Sequence, residues 1–226
     1  MDFDTSIFIS ALFSPAFAKG ALITLSLALL SHAVAVLLSL PMALVLIGKN
    51  RVGAAVVKVY IVIFRAIPLL LLLLLIWNGL PQIHPIFRES WFSPFLGALL
   101  AIAISEAAYQ VEINRSALIA LPEGQTDAGK ALGLKGWQIF FLIRFPQAVR
   151  IALPPTVNEF ITILKATSLA TIISLRELMN TAQLAVAFSY RYAEYYSAAL
   201  VYYVAMVMVL MVVQSALEKR MSWISR

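Results

Sequence analysis

The stretch that decides the fold is Leu121–Pro155, LPEGQTDAGKALGLKGWQIFFLIRFPQAVRIALPP, the longest polar interval between two apolar runs. Thr126 is predicted to cap a short helix over residues 127–132, because its hydroxyl can accept hydrogen bonds from free N–H groups. Gly133 suits the left-handed turn that ends such a helix, and a side chain there is expected to disturb the turn. A second short helix, ending at Pro146, is predicted to form its apolar side from Trp137, Phe140, Phe141 and Phe145. This helix–Gly–helix element favours a docking role.

The composition around this stretch is that of an integral membrane protein. Of 226 residues, 62% are hydrophobic and 12% are charged, whereas soluble domains are about half apolar and a quarter charged. At about 20 residues per membrane-spanning helix, the apolar runs predict an all-α protein with five spans in one domain, residues 1–226. The predicted spans are residues 21–47, 54–78, 95–117, 156–175 and 195–217, with the loop 121–155 between the third and fourth.

The basic residues predict how the chain is oriented, because cytoplasmic loops of membrane proteins are enriched in Lys and Arg. With the loop 121–155 inside, four basic residues lie outside and eleven lie at the cytoplasmic face. The four are Lys19, Arg88, Arg176 and Arg191; the eleven are Lys49, Arg51, Lys58, Arg115, Lys130, Lys135, Arg144, Arg150, Lys219, Arg220 and Arg226. The N-terminus is therefore predicted outside and the C-terminus inside a cytoplasmic membrane. The net charge of +6 is explained by this bias, so lipid is the expected partner and nucleic acid is not.

The central stretch resembles the EAA loop of binding-protein-dependent ABC importer permeases, whose pattern is E-A-A, three residues, G, nine residues, I-x-L-P. Here Asp127-Ala128-Gly129, Gly133 and Ile143-Arg144-Phe145-Pro146 occupy those positions, with departures at Asp127, Gly129 and Phe145. Five further motifs, in order, resemble the polar amino acid branch of that family. They are Phe64-Arg65-Ala66-Ile67-Pro68, residues 108–115 (AYQVEINR), residues 122–125 (PEGQ), residues 158–161 (NEFI) and residues 165–169 (KATSL).

The resemblance implies a permease subunit in a bacterial inner membrane that imports polar amino acids or related compounds across it. It implies a second permease subunit, identical or a sister, a dimer of ATPase subunits, and an external solute-binding protein. This chain is expected to be no enzyme and to bind no cofactor, since the partner ATPase uses ATP and Mg²⁺. The ATPase-coupling residues are expected to be Glu123, Gly124, Gln125, Thr126, Asp127, Ala128, Gly129, Leu132, Gly133 and Leu134.

Charged residues within spans are costly, so each needs a partner or a cavity. Polar residues on the second, third and fourth spans are candidates for a solute pathway: Arg65, Glu106, Tyr109, Asn158, Glu159, Thr162, Lys165 and Ser168. The alternative is that Arg65 and Lys165 only neutralise acidic neighbours. For Glu112 and Arg115, structural pairing or gating is the favoured interpretation.

Other classes of function find less support in the sequence. Residues 124–131 match the phosphate-loop pattern except at Ala131, where the Mg²⁺-binding hydroxyl is missing, and they follow an apolar run rather than a strand. No cysteine is present and the two histidines lack metal-ligand spacing, so no metal site is predicted. A stand-alone channel or ion-coupled transporter remains the alternative, opposed by the odd span count, the absence of an inverted repeat and the docking loop. An intramembrane enzyme lacks a nucleophile–base pair.

Overall fold

A computed structural model describes residues 3–222, which are helical without strands. The side chain of Arg220 and the whole of Arg226, both counted above as cytoplasmic, lie outside the described residues. Within the described part the helices are α1 (Thr5–Leu12), α2 (Pro15–Ile47), α3 (Arg51–Ala66), α4 (Leu69–Ile83), α5 (Pro94–Ile119), α6 (Gly124–Ala131), α7 (Gly136–Ile173), α8 (Leu178–Ser189) and α9 (Tyr192–Ser222).

Four of these helices, α2, α5, α7 and α9, are long and apolar enough to cross a membrane, and α3 with α4 forms a fifth, bent candidate. The all-helical membrane architecture is thus confirmed. The third span agrees with its predicted range within two residues. The first begins six residues earlier than predicted, because Ser14 accepts a hydrogen bond from the N–H of Phe17 (3.2 Å) and Pro15 fits the first helical turn.

The predicted continuous span 54–78 is wrong. The chain bends by 101° between α3 and α4, at Pro68, whose ring removes a backbone donor and disfavours helical geometry at the preceding residue. Ile67 accordingly has the extended angles φ −73° and ψ 125°.

The bent pair nevertheless carries the chain across the bundle, because α2 and α5 run parallel. His32 of α2 lies opposite Glu106 of α5, and seven residues further along α2, Ser39 contacts Asn114. Both helices therefore start at the same end, so α3 and α4 together must return the chain to that end. Five crossings result, as predicted.

The fourth span differs most from its prediction. Pro146 does not end the second short helix: residues 136–173 form one helical run, including a π-helical segment at Ile139–Arg144 and a 3₁₀ segment at Thr167–Ile173. Pro146 lies in the first turn after the π segment, and Pro154 and Pro155 lie inside the helix. Membrane helices tolerate such prolines because neighbouring groups satisfy the freed carbonyls. The predicted start of the span at residue 156 is therefore wrong.

Small residues allow α2 and α5 to approach closely at the centre of the bundle. They recur three or four positions apart on one face of α2, as Thr24, Ala28, Ser31, Ala35, Ser39 and Ala43, all buried. Helix α5 is likewise rich in small buried residues, namely Gly97, Ala98, Ala101, Ala107 and Ala108. Against this pair pack α7 and the bent helices α3 and α4.

At the end of the bundle away from α6, Glu177 joins three helices. Its buried carboxylate accepts hydrogen bonds from the N–H groups of Met179 (2.8 Å) and Asn180 (2.7 Å), capping α8. It also accepts from the hydroxyls of Thr24 on α2 (3.3 Å) and Tyr203 on α9 (3.2 Å). Burial raises the pKa of the Glu177 carboxyl, and these four donors oppose that rise. The polar segment 174–194, predicted as an outer loop or short helix, is thereby anchored as α8.

Candidate functional site

The first part of the candidate site is α6, the short helix inside the central stretch. It begins at Gly124, three residues before the predicted start, and Thr126 is not its N-cap. Glu123 occupies the capping position and makes no side-chain cap hydrogen bond. Residues 120–123 separate α6 from the end of α5.

The end of α6 has the predicted left-handed turn. Gly133 has φ +74°, its N–H donates to the carbonyl of Lys130 (2.9 Å), and the N–H of Leu134 donates to the carbonyl of Gly129 (3.0 Å). These two bonds form a Schellman motif, which satisfies carbonyls that the helix leaves free. Glycine fits here because other residues adopt positive φ at a cost.

Two contacts fasten α6 to α7. A β-carbon on buried Gly129 would lie 2.9 Å from Cγ1 of Ile139 on α7, so the Ile139 side chain packs directly on the Gly129 backbone. The amide groups of Gln125 and Gln147 exchange two hydrogen bonds of 2.9 Å. Close by on α7, Arg144 donates to the carbonyl of Leu118 on α5 (3.0 Å). Helix α6 is therefore held directly by α7, which is itself bonded to α5.

The opposite face of α6 is exposed. Leu132, which follows the last residue of α6, is 80% exposed. Of the other predicted coupling residues, Glu123, Gly124, Asp127, Ala128 and Gly133 are exposed, whereas Gln125, Thr126, Gly129 and Leu134 are buried or half-buried.

The predicted apolar side of the second short helix is found in part: the rings of Phe140, Phe141 and Phe145 contact one another, and Phe140 and Phe145 are half-buried. Trp137 is 61% exposed and Phe141 is 58% exposed, whereas Ile139 is buried against Gly129. Because residues 139–144 are π-helical, their side chains do not follow the 3.6-residue spacing that the prediction assumed.

The second part of the candidate site is a cleft of about 530 Å³ between the α3–α4 bend, α5 and α7. It brings together five of the predicted pathway residues: Arg65, Glu106, Tyr109, Glu159 and Thr162. Pro68 also lines the cleft, so the bend that broke the predicted second span forms one of its walls.

Charged and aromatic groups of the cleft contact one another. The guanidinium of Arg65 lies over the ring of Tyr109, with Cζ 5.0 Å from the ring centroid, a distance at which a cation is attracted to the ring face. The Glu106 and Glu159 carboxyls interact with each other. His32 Nδ1 lies 3.6 Å from Glu106 Oε1, and neither of these two buried atoms has a hydrogen-bond partner.

The lining of the cleft thus includes two carboxyls, a guanidinium and the hydroxyls of Tyr109 and Thr162. Two carboxyls that interact in a low-dielectric site need a proton or a cationic group between them.

The remaining pathway candidates lie elsewhere on α7. Asn158 accepts a hydrogen bond from Gln214 of α9 (3.5 Å), and the Ser168 hydroxyl donates to the carbonyl of Lys165 (2.7 Å). Lys165 is exposed and forms no ion pair with a described residue. The predicted polar stripe is therefore divided between the cleft and another face. Glu112 and Arg115 form the predicted structural pair, at 2.7 Å.

The sequence predicted no metal site at His32; in the structure its ring packs on Phe160 at 5.3 Å between centroids. Its place beside Glu106 was missed. A buried polar chain was also missed: Asn114 donates to Ser39 (2.8 Å), and the Gln110 amide donates to Thr156 (2.7 Å) and Asn114 (3.4 Å). The available signal was that His32 is the one titratable side chain within residues 21–47.

The described residues contain no group of three or more His, Cys, Asp or Glu side chains that could hold a metal ion.

Comparison with known proteins places this geometry in a family. A family model described as "Binding-protein-dependent transport system inner membrane component" matches residues 35–223. The probable amino-acid permease protein YxeN of Bacillus subtilis is 34% identical over 200 residues, covering 88% of each chain. The glutamine transport system permease protein GlnP of Escherichia coli is 32% identical over 221 residues, covering 98% of this chain and 99% of GlnP.

Solved structures agree. The crystal structure of an amino acid ABC transporter with histidines superposes with a TM-score of 0.85 at 31% identity, covering 97% of this chain and 100% of that one. The MetNI methionine ABC transporter, in an inward-facing conformation, shares the fold at 19% identity with a TM-score of 0.72. The resemblance that the motifs indicated is thereby confirmed. The chain belongs to the binding-protein-dependent transport system inner membrane components, the permease subunits of ABC importers.

Proposed function

We propose that this permease moves polar amino acids or related compounds inward, driven by a separate ATPase and supplied by an external solute-binding protein. The observation that supports coupling to the ATPase is that α6 has one exposed face and one face fastened to the spans. One face, with Leu132 80% exposed, is free for a partner, while Gly129, Gln125 and the nearby Arg144 are bonded or packed onto α5 and α7. A helix held in this way moves as a rigid unit with the spans.

In this mechanism, ATP binding closes the dimer of partner ATPases, and α6 transmits that movement to α5 and α7. The permease pair, identical or of two sister chains, then opens outward, and hydrolysis resets it. The ATPases use ATP and Mg²⁺, and this chain binds neither. Such coupling requires two states of the bundle whose balance the ATPase shifts. The side of the membrane bearing α6 is the cytoplasm, which leaves the start of α2 outside.

The cleft beside the α3–α4 bend is the proposed solute pathway. Glu106 and Glu159 would contact the ammonium of an amino acid, and Arg65 its carboxylate, with Tyr109 and Thr162 completing the wall. Lys165 and Ser168, which do not line the cleft, then serve another role. Amino acid relatives such as GlnP support this choice of solute class.

The test is isolation of the tagged protein from its native membrane in mild detergent, with its partners identified and counted. We expect an ATPase at equal stoichiometry with the permeases, and uptake by the reconstituted complex that requires ATP. A stable oligomer of the chain alone, with uptake driven by an ion gradient, would instead establish the secondary-transporter alternative. A sister permease in the same complex would establish a heterodimer.

A further inference from the structure

We propose that a groove at the end of the bundle away from α6 binds an anionic phospholipid, with its phosphate at Lys19 and Arg176. The groove has a volume of about 530 Å³ and lies between α1, the first turns of α2, α8 and the start of α9. Its walls are mainly apolar, and hydroxyls and the two basic side chains complete the lining. The apolar lining includes Ala11, Ala16, Phe17, Ile23 and Leu184.

The two basic side chains are not neutralised by the protein. Lys19 and Arg176 are both exposed, and neither makes a hydrogen bond or ion pair with another described residue. The acidic groups nearby are engaged elsewhere. The Glu177 carboxylate is buried and accepts four hydrogen bonds. The Glu194 carboxylate accepts hydrogen bonds from the N–H of Asp4 (3.0 Å) and from Arg191 (3.4 Å). The groove therefore carries two uncompensated positive charges, which favour an anionic ligand.

The depth of Lys19 and Arg176 in the membrane matches the depth of the lipid headgroup layer. Lys19 and Lys49 flank the apolar length of α2 and are separated by about 45 Å at roughly 1.5 Å per residue. A bilayer with its headgroup layers is about 40–45 Å thick. Arg176 lies at the same level as Lys19, because a β-carbon on Gly20 would approach Cα of Leu178 to 3.0 Å. Both cations thus lie in the headgroup layer of the leaflet opposite α6.

The apolar walls decide between a lipid and a protein ligand. An acidic protein surface would pair with the charges of Lys19 and Arg176. It would leave empty the apolar part of the groove, which is lined by Phe17, Ile23 and Leu184. A phospholipid satisfies both parts, with its phosphate between the cations and an acyl chain along the apolar wall. The inference does not depend on which solute the permease carries.

Native mass spectrometry of the purified complex, titrated with phosphatidylglycerol or phosphatidylethanolamine, tests the proposal. The double variant Lys19→Gln/Arg176→Gln is expected to bind phosphatidylglycerol about tenfold more weakly or worse, because each basic residue contributes to attraction of an anionic headgroup. Lys19→Arg/Arg176→Lys, which keeps both charges, should bind normally. Arg51→Gln/Lys58→Gln removes the same charge from exposed positions on α3 and should also bind normally.

Several results would overturn the proposal. Equal loss of phosphatidylglycerol in the α3 variant would indicate unspecific charge attraction. Equal binding of the two lipids by the unaltered complex would exclude headgroup recognition, and full displacement by inorganic phosphate would indicate a site for a free anion. If the groove variant kept its lipid but lost stimulation of ATP hydrolysis by the solute-binding protein, the groove would be a protein-docking surface.

Discussion

In the proposed pathway, Glu106 is the residue on which recognition of the solute depends. It is 4% exposed and lies beside His32 and Glu159, and it forms no ion pair with a Lys or Arg among the described residues. A structural carboxylate at this depth would be expected to have one, as Glu112 has with Arg115 at 2.7 Å.

Glu106→Gln is therefore expected to raise the KM for uptake several-fold or to change the preferred solute, because the amide cannot attract an ammonium group. Glu112→Gln on the same helix is the matched control and should leave the KM unchanged. Uptake kinetics of reconstituted complexes measure both. An unaltered KM and preference in Glu106→Gln would assign Glu106 to helix packing.

Gly129 departs from the alanine of the family pattern for a reason visible in the packing. A β-carbon there would lie 2.9 Å from Cγ1 and 3.2 Å from Cδ1 of Ile139. The missing side chain on α6 therefore leaves room for Ile139 on α7.

Gly129→Val should push α6 away from α7, at an overpacking cost of about 1–3 kcal/mol, and reduce ATP-driven uptake severalfold while insertion is unchanged. A second change, Ile139→Ala, should restore much of the uptake by making room. Uptake per ATP hydrolysed, compared among the single and double variants, measures this coupling. Full uptake by Gly129→Val alone would show that the contact is not needed.

At the scale of the helices, three proline positions show what a sequence pattern can and cannot predict. Pro68 ends α3 with a 101° bend, whereas Pro146 and Pro154 lie within the helical run of α7. The local cost of each proline is similar, but the neighbouring helices determine whether the freed carbonyls are satisfied. Which helices are neighbours depends on tertiary packing. The spacing of hydrophobic residues therefore predicted the spans but not the bend at Pro68 or the early start of α7 at Gly136.

The same limit applies to the cleft. Glu106 and Tyr109, three residues apart on α5, both line the cleft, as do Glu159 and Thr162 of α7. Asn158 of α7 contacts α9 instead, and the packing of α9 cannot be read from the spacing along one helix. His32 joins the site only through the packing of α2 on α5, which no local pattern reports.

Glu177 is the clearest test at this scale, since it fixes α8 to α2 and α9. Glu177→Ala leaves two helix N–H groups and two hydroxyls without their acceptor, and we expect a loss of about 2–4 kcal/mol. Thermal unfolding of the purified complex should shift down by several degrees. Glu89→Ala, at an exposed position near the same end, is the control and should not shift. An unchanged midpoint in Glu177→Ala would show that α8 is held by its apolar contacts alone.

At the scale of the whole molecule, the parallel course of α2 and α5 requires five crossings and puts the two ends of the described chain on opposite sides. Because the chain has no cysteine, single cysteines report their side without background. With α6 in the cytoplasm, Glu89→Cys should react with a membrane-impermeant maleimide on intact cells, and Lys135→Cys should react only after permeabilisation. The reverse pattern would invert the orientation predicted from the basic residues.

The opposed ends also decide which gene fusions this fold permits. Helix α9 runs from the α8 end towards the α6 end, as the contact of Gln214 with Asn158 shows. An ATPase joined in one polypeptide can therefore follow the permease, where it emerges beside its docking helix. A solute-binding domain must instead precede it, on the opposite face. Reversing that gene order would place each domain across the membrane from the surface it serves.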